Sequence, residues 1–258
     1  MRFFLEEAAE VGDEVELSAG DSRHLSRVLR RVPGDEITVV SANRVFAAEL
    51  LTVGDVVRVR LNDELAAYTE APLELILLQG LAKGERMEIV IQKAVELGVS
   101  QIIPVACERS VVRLDARKAA AKQERWQKIA DSAAKQCGRT RLVEIAPVQN
   151  LRQALSALPE DCHVLMPWEE ADGEGVGMAL KTALSRADVP RCAAVIIGPE
   201  GGLTPAEAEM AAAAGADLVT LGRRILRTET AAIATLAIVM YQWGDLNGLR
   251  EHGALVDN

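Results

Sequence analysis

Ile196-Ile-Gly-Pro-Glu-Gly-Gly-Leu203, with Leu221-Gly-Arg-Arg-Ile-Leu-Arg-Thr-Glu-Thr-Ala231 a short way on, holds most of what this chain discloses about itself. Residues 193–197 are apolar and rich in branched side chains, which suits a strand buried on both faces. The chain then breaks at Gly198, Gly201 and Gly202, whose backbone freedom admits a tight turn and lets a ligand approach main-chain amides. Thr204-Pro-Ala-Glu207 spells a helix start, with Thr204 as N-cap, Pro205 in the first helical position and Glu207 completing a capping box. Residues 218–221 read as a second strand and 230–243 as an almost wholly apolar helix. That helix is too short for a bilayer and must be buried in a core or a subunit interface. Two strand–turn–helix units this close place a ligand site at the carboxyl ends of strands in an open α/β sheet.

Each turn has a structural and a chemical reading. Structurally, the glycines turn a corner and Thr228 caps the last helix behind a solvated basic loop. Chemically, Glu200 sits in the middle of a glycine turn, where a carboxylate contributes little to packing. The second turn gathers Arg223, Arg224 and Arg227 beside Glu229. No Lys-Ser or Lys-Thr follows the glycines, which excludes a nucleoside-triphosphate loop. The Gly-x-Gly-x-x-Gly fingerprint expected of a nicotinamide-dependent oxidoreductase is also missing.

Upstream, residues 1–69 are dominated by short β-like runs over 36–41, 45–51 and 56–61, with Ala42-Asn43 at a hairpin turn. One basic helix is predicted over 21–31, ended by Pro33-Gly34. The whole reads as a small β-barrel, with a boundary at Glu70-Ala-Pro72. Beyond it, strands at 73–78, 101–105, 142–148 and 163–166 alternate with helices at 85–97, 116–137, 151–158 and 176–185, which predicts a mainly parallel sheet covered on both faces. In the 85–97 helix Met87, Val90, Ile91, Ala94 and Leu97 form one apolar stripe closed by Gly98, leaving Lys83, Lys93 and Glu96 outside it. The 116–137 helix ends at Gly138, and Arg139 and Arg141 project from the loop beyond, where cations also favour a helix C-terminus.

At 258 residues, 49% hydrophobic and 26% charged, the chain has ample core for one large or two modest domains. Only 3% is aromatic, so base-stacking platforms cannot dominate any nucleic-acid contact. A net charge of −9 argues against broad, nonspecific nucleic-acid binding. The cations nevertheless cluster, at Arg23, Arg27, Arg30 and Arg31, at Arg109 and Arg113, at Arg139 and Arg141, and at 223–227. Cys107, Cys137, Cys162 and Cys192 are widely separated, suggesting neither a zinc site nor a disulfide framework, and His24, His163 and His252 add little for a metal. No extended apolar signal region follows Met1, and a reducing cytoplasm is the expected compartment.

The paired motifs resemble the signature of the 16S ribosomal RNA uridine N3-methyltransferase family, the RsmE type within the SPOUT (trefoil-knotted) methyltransferases. Arg23-His-Leu-Ser-Arg-Val-Leu-Arg30, Lys83-Gly84, Gln92-Lys93, Glu96-Leu-Gly98, Glu108-Arg-Ser-Val-Val112 and Gln136-Cys-Gly-Arg139 agree with it in order along the chain. The resemblance implies an α/β knotted methyltransferase domain over 71–258, preceded by a PUA-like RNA-binding β-barrel over 1–70, and a homodimer that buries the apolar last helix. It implies S-adenosylmethionine held by three loops. The residues matched to them are Met166 and Pro167, beside Trp168; then Gly198, Pro199, Glu200, Gly201 and Gly202; then Leu221, Gly222, Ile225, Leu226, Thr228 and Thr230.

Chemistry narrows the remaining roles. Uridine N3 carries a proton and is a poor nucleophile until the proton leaves, so the site needs a base, a cation for the uracil oxygens, or both. Glu200 or Glu229 can accept the proton. Arg227, and Arg139 reaching in from a partner subunit, can stabilise the negative charge. Arg23, His24, Arg27, Arg30 and Arg31, with Lys83, Arg109 and Arg139, are the expected RNA contacts, His24 being either structural or a phosphate ligand. The expected substrate is 16S ribosomal RNA within the small ribosomal subunit, with no metal and no membrane. A non-catalytic RNA-binding assembly factor is the alternative, although it has no need of the Gly-Pro-Glu-Gly-Gly turn.

Overall fold

The computed structural model describes residues 1–67, 69–172, 177–186 and 188–248; His252 and the expected helix start at Val176 lie outside these. The chain divides into two compact units. Met1–Glu70 and Asp131–Leu142 form the smaller, and Ala71–Ala130 with the residues from Val143 onward form the larger.

The smaller unit is a mixed five-stranded half-barrel built from β1 (Arg2–Phe4), β2 (Glu14–Glu16), β3 (Glu36–Ser41), β4 (Arg44–Thr52) and β5 (Arg58–Leu65), in the order β1-β3-β4-β5-β2. Only the β1–β3 pairing is parallel. Ala42 and Asn43 turn the β3–β4 hairpin with φ of 48° and 65°, the positive pair that a two-residue turn of matching twist requires. The inward side chains, Phe3, Val39, Phe46, Leu50, Val59 and Leu61, make the core.

The basic helix is shorter and earlier than its sequence predicts. Ser18 accepts the Asp21 N–H at 3.1 Å and starts α1 (Ala19–Arg23), which widens into a π-helical turn over His24–Val28. Arg30 then takes φ 53°, and the Arg31 N–H closes onto the Leu25 carbonyl, ending the helix before Pro33-Gly34 is reached. Arg23, Arg27, Arg30 and Arg31 are all exposed, but the π turn and the left-handed residue spread them over more than one face.

α3 (Ala116–Cys137) ends as expected at Gly138, φ 78°, but Arg139 does not project into a loop. It is 5% exposed and grips Glu70, with Nη2 2.6 Å and Nε 3.1 Å from Oε2. The other Glu70 oxygen accepts the Thr140 and Arg141 N–H groups at 2.7 and 3.2 Å. Burial alone would raise the Glu70 carboxyl, but Arg139 and those two amides outweigh it and hold it below the ordinary carboxylate range.

The larger unit is a seven-stranded, wholly parallel sheet. Its strands are β6 (Glu74–Gly80), β7 (Gln101–Val105), β8 (Glu144–Ile145), β9 (His163–Pro167), β10 (Met178–Ala179), β11 (Cys192–Ile197) and β12 (Asp217–Thr220). The order is β10-β12-β9-β11-β6-β7-β8, with β11 and β6 paired from Cys192↔Glu74 to Ile197↔Gln79 at the centre. Helices α2 (Arg86–Glu96), α4 (Leu151–Ser156), α5 (Leu180–Arg186), α6 (Pro205–Ala213) and α7 (Thr228–Gln242) complete it. Two predicted elements shrink at the sheet edges. The 142–148 run keeps two strand residues, and the 176–185 helix begins at Leu180 because Met178 and Ala179 pair with β12.

The α6 capping box forms as its sequence spells it. The cap of α7 does not: Arg227 takes that position and Thr228 is the first helical residue, its hydroxyl used elsewhere. After β12 the chain returns across the sheet so that α7 packs on α2, where the site of a Gly98 Cβ would lie 2.7 Å from Met240 Cε. Cys162 and Cys192 form a disulfide, contrary to the sequence expectation. Thirty residues separate them, yet they stand side by side because the next residues, His163 and Ala193, are register partners on β9 and β11. No helix among the described residues is long and apolar enough to cross a membrane.

Replacing Glu70 by Gln leaves Arg139 buried without its counter-charge and is expected to cost about 3 kcal/mol near neutral pH, read by chemical denaturation. A lowered folded-state pKa stabilises above the unfolded carboxylate value of ~4.3 and loses that contribution as pH falls through the folded value. The gap between wild type and Glu70→Gln therefore narrows on acidification. A constant gap from pH 7 to pH 3 would show that the pair contributes nothing through ionisation.

Candidate active site

A cleft of about 480 Å³ opens at the carboxyl ends of β9, β11 and β12, entirely within the larger unit. Three loops converge on it, Pro167–Glu169 after β9, Gly198–Leu203 after β11 and Thr220–Arg227 after β12, with Arg86 at the start of α2 closing one side. Parallel strands all end on the same edge of their sheet, so loops distant in sequence meet there.

The Thr228 hydroxyl locks two of those elements to the floor. It donates to the Gly198 carbonyl at 2.7 Å and accepts from Gln79 Nε2 at 3.0 Å, joining the start of α7 to the glycine turn and to the end of β6. Gly80 permits this closeness, since a Cβ there would meet Gly198 and Pro199 backbone atoms. On the outer side the glycine turn rests on the loop after β7, where a Cβ on Gly201 would come within 2.7 Å of the Arg109 carbonyl oxygen. That loop is tied down in turn, the Glu108 N–H donating to Glu207 at 2.9 Å and the Cys107 N–H to Ser110 Oγ at 3.1 Å. Burial, then the charge of Glu207, pushes the Cys107 thiol up to about 12, so it is an inert packing residue.

Most of the cofactor-loop residues expected from sequence line the cleft: Pro167, Gly198, Pro199, Glu200, Gly202, Leu221, Gly222, Ile225, Leu226 and Thr228. Three do not. Met166 is wholly buried in the apolar cluster on one face of the sheet, Gly201 turns outward against Arg109, and Thr230 is exposed on α7 between the lining residues Glu229 and Ala231. Arg86, Trp168 and Glu169 line the cleft too. Arg86 carried no sequence signal, being one more polar residue at the start of an amphipathic helix. The only available pointer was its place three residues after Lys83.

The two candidate bases differ in environment. Glu200 Oε1 accepts from Arg86 Nη1 at 2.7 Å and from the Lys83 N–H at 2.8 Å. Partial burial works to raise its pKa, but those donors together with its own N–H keep it lowered, which makes Glu200 a poor proton acceptor. Glu229 Oε2 stands 3.8 Å from Arg86 Nε as a looser ion pair, and this buried oxygen has no hydrogen-bond partner among the described residues. Arg86 thus touches a carboxylate from each motif. Arg223, Arg224 and Arg227 are exposed at the mouth with no ion pair among the described residues, a local positive field on an acidic chain.

Residues 69–240 match the RNA methyltransferase domain family. Ribosomal RNA small subunit methyltransferase E of Bacillus subtilis is 33% identical over 252 residues, covering 96% of this chain and 98% of that protein. The chain belongs to the ribosomal RNA small subunit methyltransferase E family. A solved structure of that enzyme from Neisseria gonorrhoeae, bound to S-adenosylmethionine, superposes with a TM-score of 0.83 at 36% identity, covering 95% of this chain and 98% of that one. A methyltransferase from Legionella pneumophila with the same molecule bound gives 0.85 at 34%, with the same coverage. Membership in a family of enzymes sets aside the non-catalytic alternative.

The other expected RNA contacts fall outside the cleft. Lys83 offers Glu200 its backbone N–H while its side chain is exposed, Arg109 is exposed beside the glycine turn, and His24 is half-buried in the smaller unit. Arg139 is committed to Glu70.

Arg86→Ala removes the charge that links Glu200 to Glu229 and is expected to speed amide hydrogen exchange by about ten-fold across 198–203 and 228–231, an opening energy of ~1.4 kcal/mol. Arg86→Lys keeps the charge and should retain part of the protection. Unchanged exchange in Arg86→Ala would deny Arg86 any part in holding the loops.

Proposed function

We propose that this chain transfers a methyl group from S-adenosylmethionine to N3 of a uridine in 16S ribosomal RNA of the small ribosomal subunit. The observation that carries the reading is the convergence of three strand-end loops on one cleft in a chain of this family. The cleft suits the cofactor: about 480 Å³ lies within the range of small-molecule sites, and Gly202 (φ 72°) and Gly222 (φ 102°) bare backbone groups where side chains would intrude. Leu221 and Leu226 supply apolar wall, with Pro167 and Trp168 opposite.

When bound, S-adenosylmethionine supplies an electrophilic methyl on a sulfonium. The chain's own residues hold the uracil in line with it, which accounts for much of the rate through orientation. Glu229, which lines the cleft and stands 3.8 Å from Arg86, takes the N3 proton, while Glu200, held ionised by Arg86, positions loops instead of moving protons. Arg227, at the N-cap of α7 and with no ion pair among the described residues, faces the charge that develops on the uracil oxygens. The half-barrel acts as a PUA-like RNA-binding domain through Arg23, Arg27, Arg30 and Arg31, and the return of the chain from β12 to α2 forms the knotted segment. The protein works as a homodimer in the cytoplasm. Exposed Ile238 and Tyr241 on α7, 43% and 61% accessible, support that helix as the shared surface.

Methyl transfer from labelled S-adenosylmethionine into small subunits lacking uridine N3 methylation, with the nucleoside identified by mass spectrometry, should yield N3-methyluridine. A different methylated nucleoside would move the target atom. No transfer, with no cofactor binding by calorimetry, would overturn the reading. Arg227→Ala is expected to lower kcat about 10²-fold with cofactor affinity held within a few-fold. Turnover close to wild type would remove Arg227 from the reaction.

A further inference from the structure

The first half of α3 is strongly basic in a chain that is otherwise acidic. Between residues 116 and 128 lie Arg117, Lys118, Lys122, Arg125 and Lys128 against the single acid Glu124, while the whole chain carries a net charge of −9. At 3.6 residues per turn the five cations fall within about 140° of the helix circumference and run about 16 Å along its axis. The opposite side faces inward. Trp126 and Ala130 are 3% and 0% exposed, and Gln123 and Gln127 donate to the Ile145 and Val143 carbonyls at 2.8 Å. The stripe is therefore fixed toward solvent by the packing of its back.

Its charges are available. Arg117, Lys122 and Lys128 have no ion-pair partner among the described residues. Lys118 pairs with Asp115 at 3.1 Å and Arg125 with Glu88 at 2.7 Å, but their side chains remain 70% and 61% exposed. Exposed pairs of this kind are weak and exchange readily for a stronger anion. The stripe follows in sequence from the loop that backs the glycine turn. The Arg109 carbonyl abuts Gly201, Arg113 Nη2 donates to the Glu108 carbonyl at 2.9 Å, and Arg117 follows four residues later on the first turn of α3. Between the cations stands Ala121, and the large apolar residue in the same arc, Ile129 beyond Lys128, is half-buried, so no exposed large apolar side chain lies there to anchor a protein partner. Solvated cations in a row, without such an anchor, suit a phosphate backbone that is to be positioned and not read.

We infer that this face of α3 is a second ribosomal RNA contact, binding phosphates of the segment that leads into the cleft. The inference rests on the methyltransferase reading and adds to it a binding surface on the larger unit. Deproteinised 16S ribosomal RNA lacking the modification, titrated between about 50 and 200 mM salt, tests it. Lys118→Gln/Lys122→Gln/Lys128→Gln is expected to weaken affinity about ten-fold or more at low salt. The same variant should make the slope of log affinity on log salt shallower by about 2, since each phosphate that is no longer neutralised takes ~0.7–0.9 from it. Cofactor affinity by calorimetry should not move. Glu124→Lys, on the margin of the same stripe, is expected to steepen the slope. If both variants match the wild type while the wild type binds and methylates RNA, the inference is overturned and the functional reading stands. A variant normal on naked RNA but defective only on assembled subunits also overturns it, assigning the face to a protein. A wild type that neither binds nor methylates RNA brings down both.

Discussion

The hydroxyl of Thr228 is the smallest group on which the larger unit depends. By donating to Gly198 and accepting from Gln79 it fixes the start of an apolar helix against the two central strands of the sheet. The interaction spans 149 residues of sequence. It exists only because the chain, having run out to β12, comes back over β9 and β11. Everything functional about the cleft follows from that return: without it the loop after β12 would open at one side of the sheet, away from the glycine turn. Because the hydroxyl and Gln79 are buried, breaking their hydrogen bond would leave desolvated polar groups, at a cost of about 1–3 kcal/mol. That penalty makes the assembled loop pair a defined state and not one of several.

Charge is partitioned on the same principle. The acidic total keeps the chain from holding nucleic acid indiscriminately, whereas its cations are divided between two tasks. Some are consumed in structure: Arg139 neutralises Glu70, Arg86 joins Glu200 to Glu229, and Lys135 pairs with Asp21 at 2.6 Å. Others are left exposed at the cleft mouth and along the π-widened turn of the smaller unit. Sequence cannot tell these classes apart, because a cluster of arginines reads the same whether its partners are phosphates or a carboxylate 69 residues away.

That limit explains what was legible and what was not. The hairpin at Ala42-Asn43, the α6 capping box and both ends of α3 were readable because each depends on residues within a few positions of one another. The cleft itself was readable through its glycines, which are required wherever backbone meets backbone. Edge strands were misjudged: β8 and β10 owe their two residues each to a single neighbour, and the hydrophobic run alone overstates or misses them. The Cys162–Cys192 bond and the commitment of Arg139 depend on long-range register, which no local pattern encodes. Arg86 escaped for a subtler reason, since its role is defined only by two carboxylates from other elements.

The pairing of Arg86 also settles how two similar acids come to differ. Glu200 and Glu229 both occupy motif loops and both stand near the same guanidinium. Glu200, however, receives a 2.7 Å charged hydrogen bond and a backbone N–H, whereas Glu229 Oε2 lies 3.8 Å away and receives no hydrogen bond among the described residues. A carboxylate saturated with donors is stabilised as an anion and loses basicity, as Glu200 does. One arginine, by sitting closer to one acid than to the other, therefore divides them into a donor-saturated and a donor-poor carboxylate. The division requires no difference in residue type, only the register at which α2 begins.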